Sequence, residues 1–286
     1  MQQQLSNSFN KVLVIGGGLM GGGIAQVIAQ QGIPVVIVDR TSEDLDRSRA
    51  RIKKMITRLN GEGAVEEVLS NITFSTSYHD GADCDLAIEA VPEILELKLE
   101  VFRRLDEILP PNAILASNTS SLSIAAMSSV TKRPESVVGM HFFSPVPIMK
   151  LVEIVKGMNT SDETVEKIRL FGEMMGKEMI VAKDFPGFTV NRVLVPMMNE
   201  AAFLVMEGND PEEIDRGMML GTNHPIGPLK LADSVGIDVL YNTCMSLFEG
   251  FKDSKYRPCP LLKRMVEAGH LGKKSGQGFY DYGGEK

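Results

Sequence analysis

Short apolar runs alternate with amphipathic stretches through the first part of the chain. Val12-Leu-Val-Ile15, Val35-Val-Ile-Val38, Leu86-Ala-Ile88, Ile114-Leu-Ala116, Val137-Val138 and Leu151 to Val155 are each apolar without polar interruption or nearly so. Such runs predict strands buried on both faces. Between them, Ile24 to Gln31, Leu45 to Leu59 and Leu95 to Leu109 repeat apolar residues at helical spacing. Strands alternating with helices predict a largely parallel sheet covered on both sides.

Thr160 to Glu163 has the T-x-x-E pattern of a capping box, and Ile168, Phe171 and Met175 follow at helical spacing. The stretch Lys183-Asp-Phe-Pro-Gly187 then breaks the rhythm, and no β-branched run recurs after it. Helix signals replace it: Asn191 to Glu207 stopped by Gly208, a start at Asp210-Pro-Glu-Glu213, Ile237 to Phe248, and Leu261 to Ala268 before Gly269. Two domains are expected, an α/β domain over 1–184 and an all-helical one over 185–286.

Composition narrows the class. The 286 residues are 43% hydrophobic and 23% charged, enough to bury a core and unlike a disordered chain. A formal charge of −7 argues against a nucleic-acid partner, which needs cations to neutralise phosphates. Met1 to Asn10 is polar, without the pattern of a secretory signal, and no run reaches the roughly 18–20 apolar residues of a membrane span. Cys84, Cys244 and Cys259 lie far apart with no C-x-x-C, which predicts idle reduced thiols in a cytoplasmic protein and no metal site.

The first strand runs directly into Gly16-Gly-Gly18-Leu-Met-Gly21, a G-x-G-x-x-G pattern followed by a helix, a second strand and Asp39 at that strand's end. Gly16 suits the tight turn, Gly18 lets backbone approach a pyrophosphate, and Gly21 lets helix and strand pack closely. The helix N-terminus offers free N–H groups to the diphosphate. Asp39 can accept from both hydroxyls of an adenine ribose and would repel a 2′-phosphate, so NAD is expected over NADP, with Arg40 beside it as a softening charge. These residues predict a doubly wound, Rossmann-type sheet.

Of four histidines, His79 and His270 read as surface residues and His224 as loop architecture. His141 differs, because it follows Val137-Val-Gly-Met140 at the strand end where ligands of open α/β sheets sit. Glu153 lies in the apolar run Leu151 to Val155, where a carboxylate needs a partner. An imidazole on a neighbouring strand would supply one and have its tautomer fixed in return, although spacing alone leaves a purely structural bond equally open. Ser120 could face a ligand or cap the helix after it, and Asn191 could be no more than a helix-start polar residue.

Three long motifs add weight. Leu115-Ala-Ser-Asn-Thr-Ser-Ser-Leu-Ser-Ile124, Gly139-Met-His-Phe-Phe-Ser-Pro-Val-Pro147 and Asp184-Phe-Pro-Gly-Phe-Thr-Val-Asn-Arg192 occur in this order. Together with Ala87-Ile-Glu-Ala-Val-Pro92 and Leu220-Gly-Thr-Asn-His-Pro-Ile-Gly-Pro228, they make the chain resemble the 3-hydroxyacyl-CoA dehydrogenase family, especially bacterial 3-hydroxybutyryl-CoA dehydrogenases. The resemblance implies NAD-dependent oxidation of a short 3-hydroxyacyl thioester, or the reverse, as in fatty acid metabolism. It implies His141 as acid/base, Glu153 as its partner, and Ser120 and Asn191 at the substrate oxygen in a cleft between domains. It also implies a homodimer formed through the helical domain.

Two departures from the family pattern bear on the substrate carrier. Ser144 stands where the family's HFF-N-P motif has Asn, replacing a two-donor amide with a single hydroxyl. Thr57 to Asn71 is short where relatives carry a Lys-rich hairpin that helps hold the CoA nucleotide. A basic stripe remains at Arg47, Arg51, Lys54 and Arg58, which a solvated helix face would also explain. An acyl carrier protein, which presents the same phosphopantetheine arm without the nucleotide, is therefore the alternative to CoA.

Overall fold

The computed structural model describes residues 9–283. Two compact units divide the chain, Met1–Asp184 and Phe185–Lys286. The first holds eight strands: β1 (Val12–Ile15), β2 (Val35–Val38), β3 (Ile72–Ser75), β4 (Leu86–Glu89), β5 (Ile114–Ser117), β6 (Val137–Phe142), β7 (Leu151–Lys156) and β8 (Glu178–Lys183). They form one sheet in the order β3-β2-β1-β4-β5-β6-β7-β8. Six helices accompany them: α1 (Leu19–Ala29), α2 (Ser42–Asn60), α3 (Val65–Ser70), α4 (Leu95–Ile108), α5 (Ile124–Ser128) and α6 (Asp162–Met174).

All residues of β1, β2, β4 and β5 are buried, which is why their sequences are apolar except for Glu89 and Ser117 at the ends of β4 and β5. The chain winds outward from β1 to β3, then returns to the other side of β1 with β4. That reversal opens a crevice at the carboxyl ends of β1 and β4. Every neighbouring pair is parallel except β6 and β7. The connection between those two, residues 143–150, is shorter than the roughly twelve residues a parallel crossover needs, so β7 turns back antiparallel.

Two local expectations change. Ser161, not Thr160, caps α6 by accepting from the Thr164 N–H. The Thr160 hydroxyl instead donates to the Val137 carbonyl at 2.6 Å and accepts from the Gly157 N–H, tying β6 to the turn after β7. Likewise Ser123, not Ser120, caps α5. Asp184 completes that helix end, accepting from the N–H groups of Ile124 and Ala125. Strand β3 and helix α3 carry too few residues to show a period, and the sequence reading lacks both.

The second unit is helical: α7 (Val190–Met206), α8 (Pro211–Thr222), α9 (Pro228–Val235), α10 (Ile237–Phe251) and α11 (Pro260–Glu267). Val195, Met198, Ala202, Leu240, Cys244, Leu247 and Leu262 are among its core residues. Two buried carboxylates strap its chain end. Asp215 accepts from the N–H groups of Leu229 and Lys230 at the start of α9 and from the Tyr280 hydroxyl. Asp233 accepts from the N–H groups of Phe279 and Tyr280. The short helix α9, opening on Pro228, is absent from the sequence reading. Among the described residues, no helix is long and apolar enough to cross a membrane.

Gly139 shows how tightly β6 is packed. A Cβ there would meet the Val155 Cβ at 2.5 Å and the Ile124 Cδ1 at 3.0 Å. Overpacking of this kind costs about 1–3 kcal/mol. Gly139→Ala is therefore expected to lower the chemical denaturation midpoint of the first unit, and an unchanged midpoint would contradict the packing described.

Candidate active site

The crevice between β1 and β4 is a cleft of about 790 Å³, lined by Gly16, Gly18, Asp39, Ala90 and Val91 among others. Gly16 leaves β1 at φ +95°, and a Cβ there would press on the Ala90 carbonyl oxygen at 2.8 Å. A Cβ on Gly21 would overlap the Gly16 carbonyl oxygen, so α1 can approach β1 only through a glycine. Gly18, the residue before α1, faces open space, and its lack of a side chain leaves the first N–H groups of α1 accessible.

Asp39, at the end of β2, accepts from the Gly17 N–H at 2.7 Å and the Arg40 N–H at 2.8 Å. These bonds aim the carboxylate into the cleft and leave acceptor sites for a ribose diol. Arg51 donates to the Gly17 carbonyl at 2.9 Å, bracing the glycine turn from α2. Arg40 lies 3.8 Å from Asp44, is 88% exposed, and also lines the cleft. The glycine cradle, the helix terminus and the acidic strand end together fit an NAD molecule.

Antiparallel pairing puts His141 of β6 directly opposite Glu153 of β7. The His141 Nδ1 lies 2.8 Å from the Glu153 Oε2, with the glutamate fully buried and the imidazole nearly so. At this distance an ionised carboxylate would accept from an Nδ1–H, which is the tautomer the contact suits. Phe143 packs on the imidazole with ring centroids 4.6 Å apart. Beyond the ladder, Asn118 accepts from the Phe142 N–H at 2.9 Å and clamps the ends of β5 and β6 together.

Ser120 lies on the loop after β5, at the same edge of the sheet as His141. Its N–H and hydroxyl both donate to Glu93 Oε1, at 2.8 and 3.1 Å. Asn191 sits in the first turn of α7 in the second unit, half-buried. Ser144 is exposed on the loop after β6.

The sequence reading missed a buried charge cluster beside these residues. Lys98 on α4, 1% exposed, donates to Glu89 at 2.7 Å and lies 3.3 Å from Glu93. Burial would raise the Glu93 carboxyl, but the Lys98 ammonium and the Thr119 and Ser120 donors outweigh it and hold the group below its ordinary value. One signal was available: Lys98 shares a helix face with Val101, Phe102 and Leu105, where a charge demands a partner.

The remaining candidates have other places. His79 is exposed in the turn Tyr78–Gly81, and His224 follows the end of α8. All three cysteines are buried, and burial pushes the Cys84 and Cys244 thiols up to about 12, too high for thiolate chemistry at neutral pH. Within the basic stripe, Arg47 pairs with Asp44 and Arg51 serves the glycine turn. Arg51, Lys54 and Arg58 line a second, narrower cleft of about 170 Å³ with Met55, Gln26 and the Pro145–Pro147 loop.

Comparison with known proteins covers both units. Residues 11–185 match the NAD binding domain of 3-hydroxyacyl-CoA dehydrogenase, and residues 187–282 match its C-terminal domain. A probable 3-hydroxybutyryl-CoA dehydrogenase of Deinococcus radiodurans is 50% identical over 274 residues, covering 94% of this chain and 99% of its own. The human mitochondrial hydroxyacyl-coenzyme A dehydrogenase is 41% identical, covering 95% and 90%. Among solved structures, the (S)-3-hydroxybutyryl-CoA dehydrogenase of Ralstonia eutropha superposes with a TM-score of 0.91 at 43% identity, covering 96% and 100%. Likeness of this extent, on a chain that already carries the dinucleotide cradle, means that it belongs to the 3-hydroxyacyl-CoA dehydrogenase family and is an NAD-dependent oxidoreductase.

Proposed function

We propose that the chain oxidises a short 3-hydroxyacyl-CoA, such as 3-hydroxybutyryl-CoA, to the 3-oxoacyl thioester, and catalyses the reverse reduction. The observation that carries this reading is the His141–Glu153 pair at the carboxyl edge of the sheet, separated from the glycine turn by β4 and β5. Relatives whose names specify 3-hydroxybutyryl-CoA support the choice of acyl group.

The glycine turn and Asp39 would hold NAD, which would supply the acceptor for a hydride from C3 of the substrate. His141 Nε2 takes the proton of the C3 hydroxyl as the carbonyl forms, and returns it in the reverse direction. Glu153 receives the Nδ1–H bond throughout, which stabilises the imidazolium and keeps the ring aimed. The Ser120 hydroxyl, which donates to Glu93 in the structure, turns its single hydrogen to the reacting oxygen when substrate is present and steadies the charge that develops there. Asn191 joins this set on the strength of the family resemblance alone.

The thioester arm has a route in the second cleft, where Pro145, Val146 and Met55 offer an apolar wall and Lys54 and Arg58 offer charge to phosphates. A carrier-protein substrate is the second reading. It is favoured by the short connection after α2, where residues 61–71, with the turn Glu62–Ala64 and the short helix α3, stand before β3. A homodimer through the second unit completes the proposal, supported by exposed apolar side chains on it, including Val193 at 73% and Leu220 at 77%.

His141→Gln is expected to retain NAD affinity in a fluorescence titration and to lower turnover at least about a hundredfold. Full turnover in that variant would remove the acid/base assignment. Lys54→Glu combined with Arg58→Glu is expected to raise KM for acetoacetyl-CoA at least about fivefold at low salt. The same change should leave KM for the acetoacetyl N-acetylcysteamine thioester, which lacks phosphates, unaltered. Equal effects on both substrates would count against a phosphate contact there. Faster NADH oxidation with an acetoacetyl carrier protein than with acetoacetyl-CoA would decide for the carrier-protein reading.

A further inference from the structure

Glu89 ends β4 with no solvent exposure at all, and nothing in the dehydrogenase mechanism yet uses it. Both of its oxygens are engaged. Oε1 accepts from the Val91 N–H at 2.6 Å and from the Lys98 ammonium at 2.7 Å, while Oε2 accepts from the Ser117 hydroxyl at 2.6 Å. We infer that Glu89 is a positioning residue for Ser120, acting through two hydrogen-bonded routes that converge on residues 119–121.

The first route runs along β5. Ser117, itself buried, donates to Glu89 and accepts from the Thr119 N–H at 3.1 Å. The second runs through α4. Lys98 bridges Glu89 to Glu93, whose Oε1 accepts from the Thr119 hydroxyl at 2.6 Å, the Ser120 N–H at 2.8 Å and the Ser121 N–H at 3.1 Å. Three consecutive residues are thereby held by side chains that all trace back to one carboxylate.

A buried ion pair is poor evidence for added stability, because desolvating both charges offsets most of their attraction. Burial pushes the Glu89 carboxyl up, against the pull of Lys98 and its other donors, so its charge is kept there at some cost. A geometric task accounts for that cost. A serine hydroxyl hangs on one short torsion, so its reach is set by the backbone beneath it, and a misplacement of 1 Å at a reacting centre can cost about a hundredfold. Glu89 fixes that backbone without touching substrate.

The inference rests on the reading that Ser120 acts at the substrate oxygen, and a double-mutant cycle separates the two. Kinetics of Glu89→Gln, Ser120→Ala and the double variant are compared, with NAD affinity and melting temperature measured for each. Glu89→Gln is expected to lower kcat about tenfold or more, with NAD affinity within about threefold of the parent. In the Ser120→Ala background the same change should cost less than about twofold. An equal loss in both backgrounds would overturn the inference, as would a loss confined to NAD affinity or to melting temperature. Full kcat in Ser120→Ala alone would remove the Ser120 role and this inference with it. Should Glu89→Gln fail to fold, Ser117→Ala breaks one route and leaves the ion pair intact. It is expected to couple to Ser120 in the same direction, and strict additivity there would equally overturn the inference.

Discussion

The antiparallel return of β7 along β6 is the constraint on which the site depends. It sets Glu153 opposite His141 in the ladder, and a slip of one residue would turn the carboxylate to the other face of the sheet. The register is held by packing on both sides. Gly139 admits Val155 and Ile124 at close range, and the Thr160 hydroxyl ties the turn after β7 to the start of β6. One short connection, residues 143–150, thus lets an otherwise parallel sheet bring His141 and Glu153 together.

Around this pair the first unit distributes charge with little waste. Asp39 and Arg51 brace the glycine turn through backbone groups, so the cradle keeps its shape independently of any ligand. On the next strands, the Glu89–Lys98–Glu93 cluster holds the loop that carries Ser120. Each of these groups is an ionised side chain anchoring backbone N–H or C=O groups, which gives stronger and more directional bonds than neutral pairs. Preorganisation here is electrostatic, built from strand ends rather than from added loops.

The departures from the family pattern fall away from that centre. Ser144 is exposed on the loop beyond Phe143, and the short connection after α2 lies on the side of the sheet that carries the narrower cleft. Of the four cations in the basic stripe on α2, Arg47 pairs with Asp44, while Arg51, Lys54 and Arg58 line that cleft, Arg51 also bracing the glycine turn. Under the proposed function, differences of this kind bear on how a carrier is held rather than on hydride transfer.

Much was legible from the sequence alone. Uninterrupted apolar runs announced a sheet covered on both faces, and glycines ahead of a helix with Asp39 after the next strand announced the dinucleotide site, because both patterns are local and periodic. A histidine at a strand end and a glutamate inside an apolar run could be named as candidates, yet not joined. Their meeting depends on which way β7 runs and in what register, and both are settled by packing between strands. The same holds for Glu89, Lys98 and Glu93. Each is one charged residue in its own segment, and only the fold, by burying Lys98 between two carboxylates, makes them a single structure. Sequence fixes what each segment must bury or expose, whereas partners distant along the chain are decided by the free energy of satisfying buried charges in three dimensions.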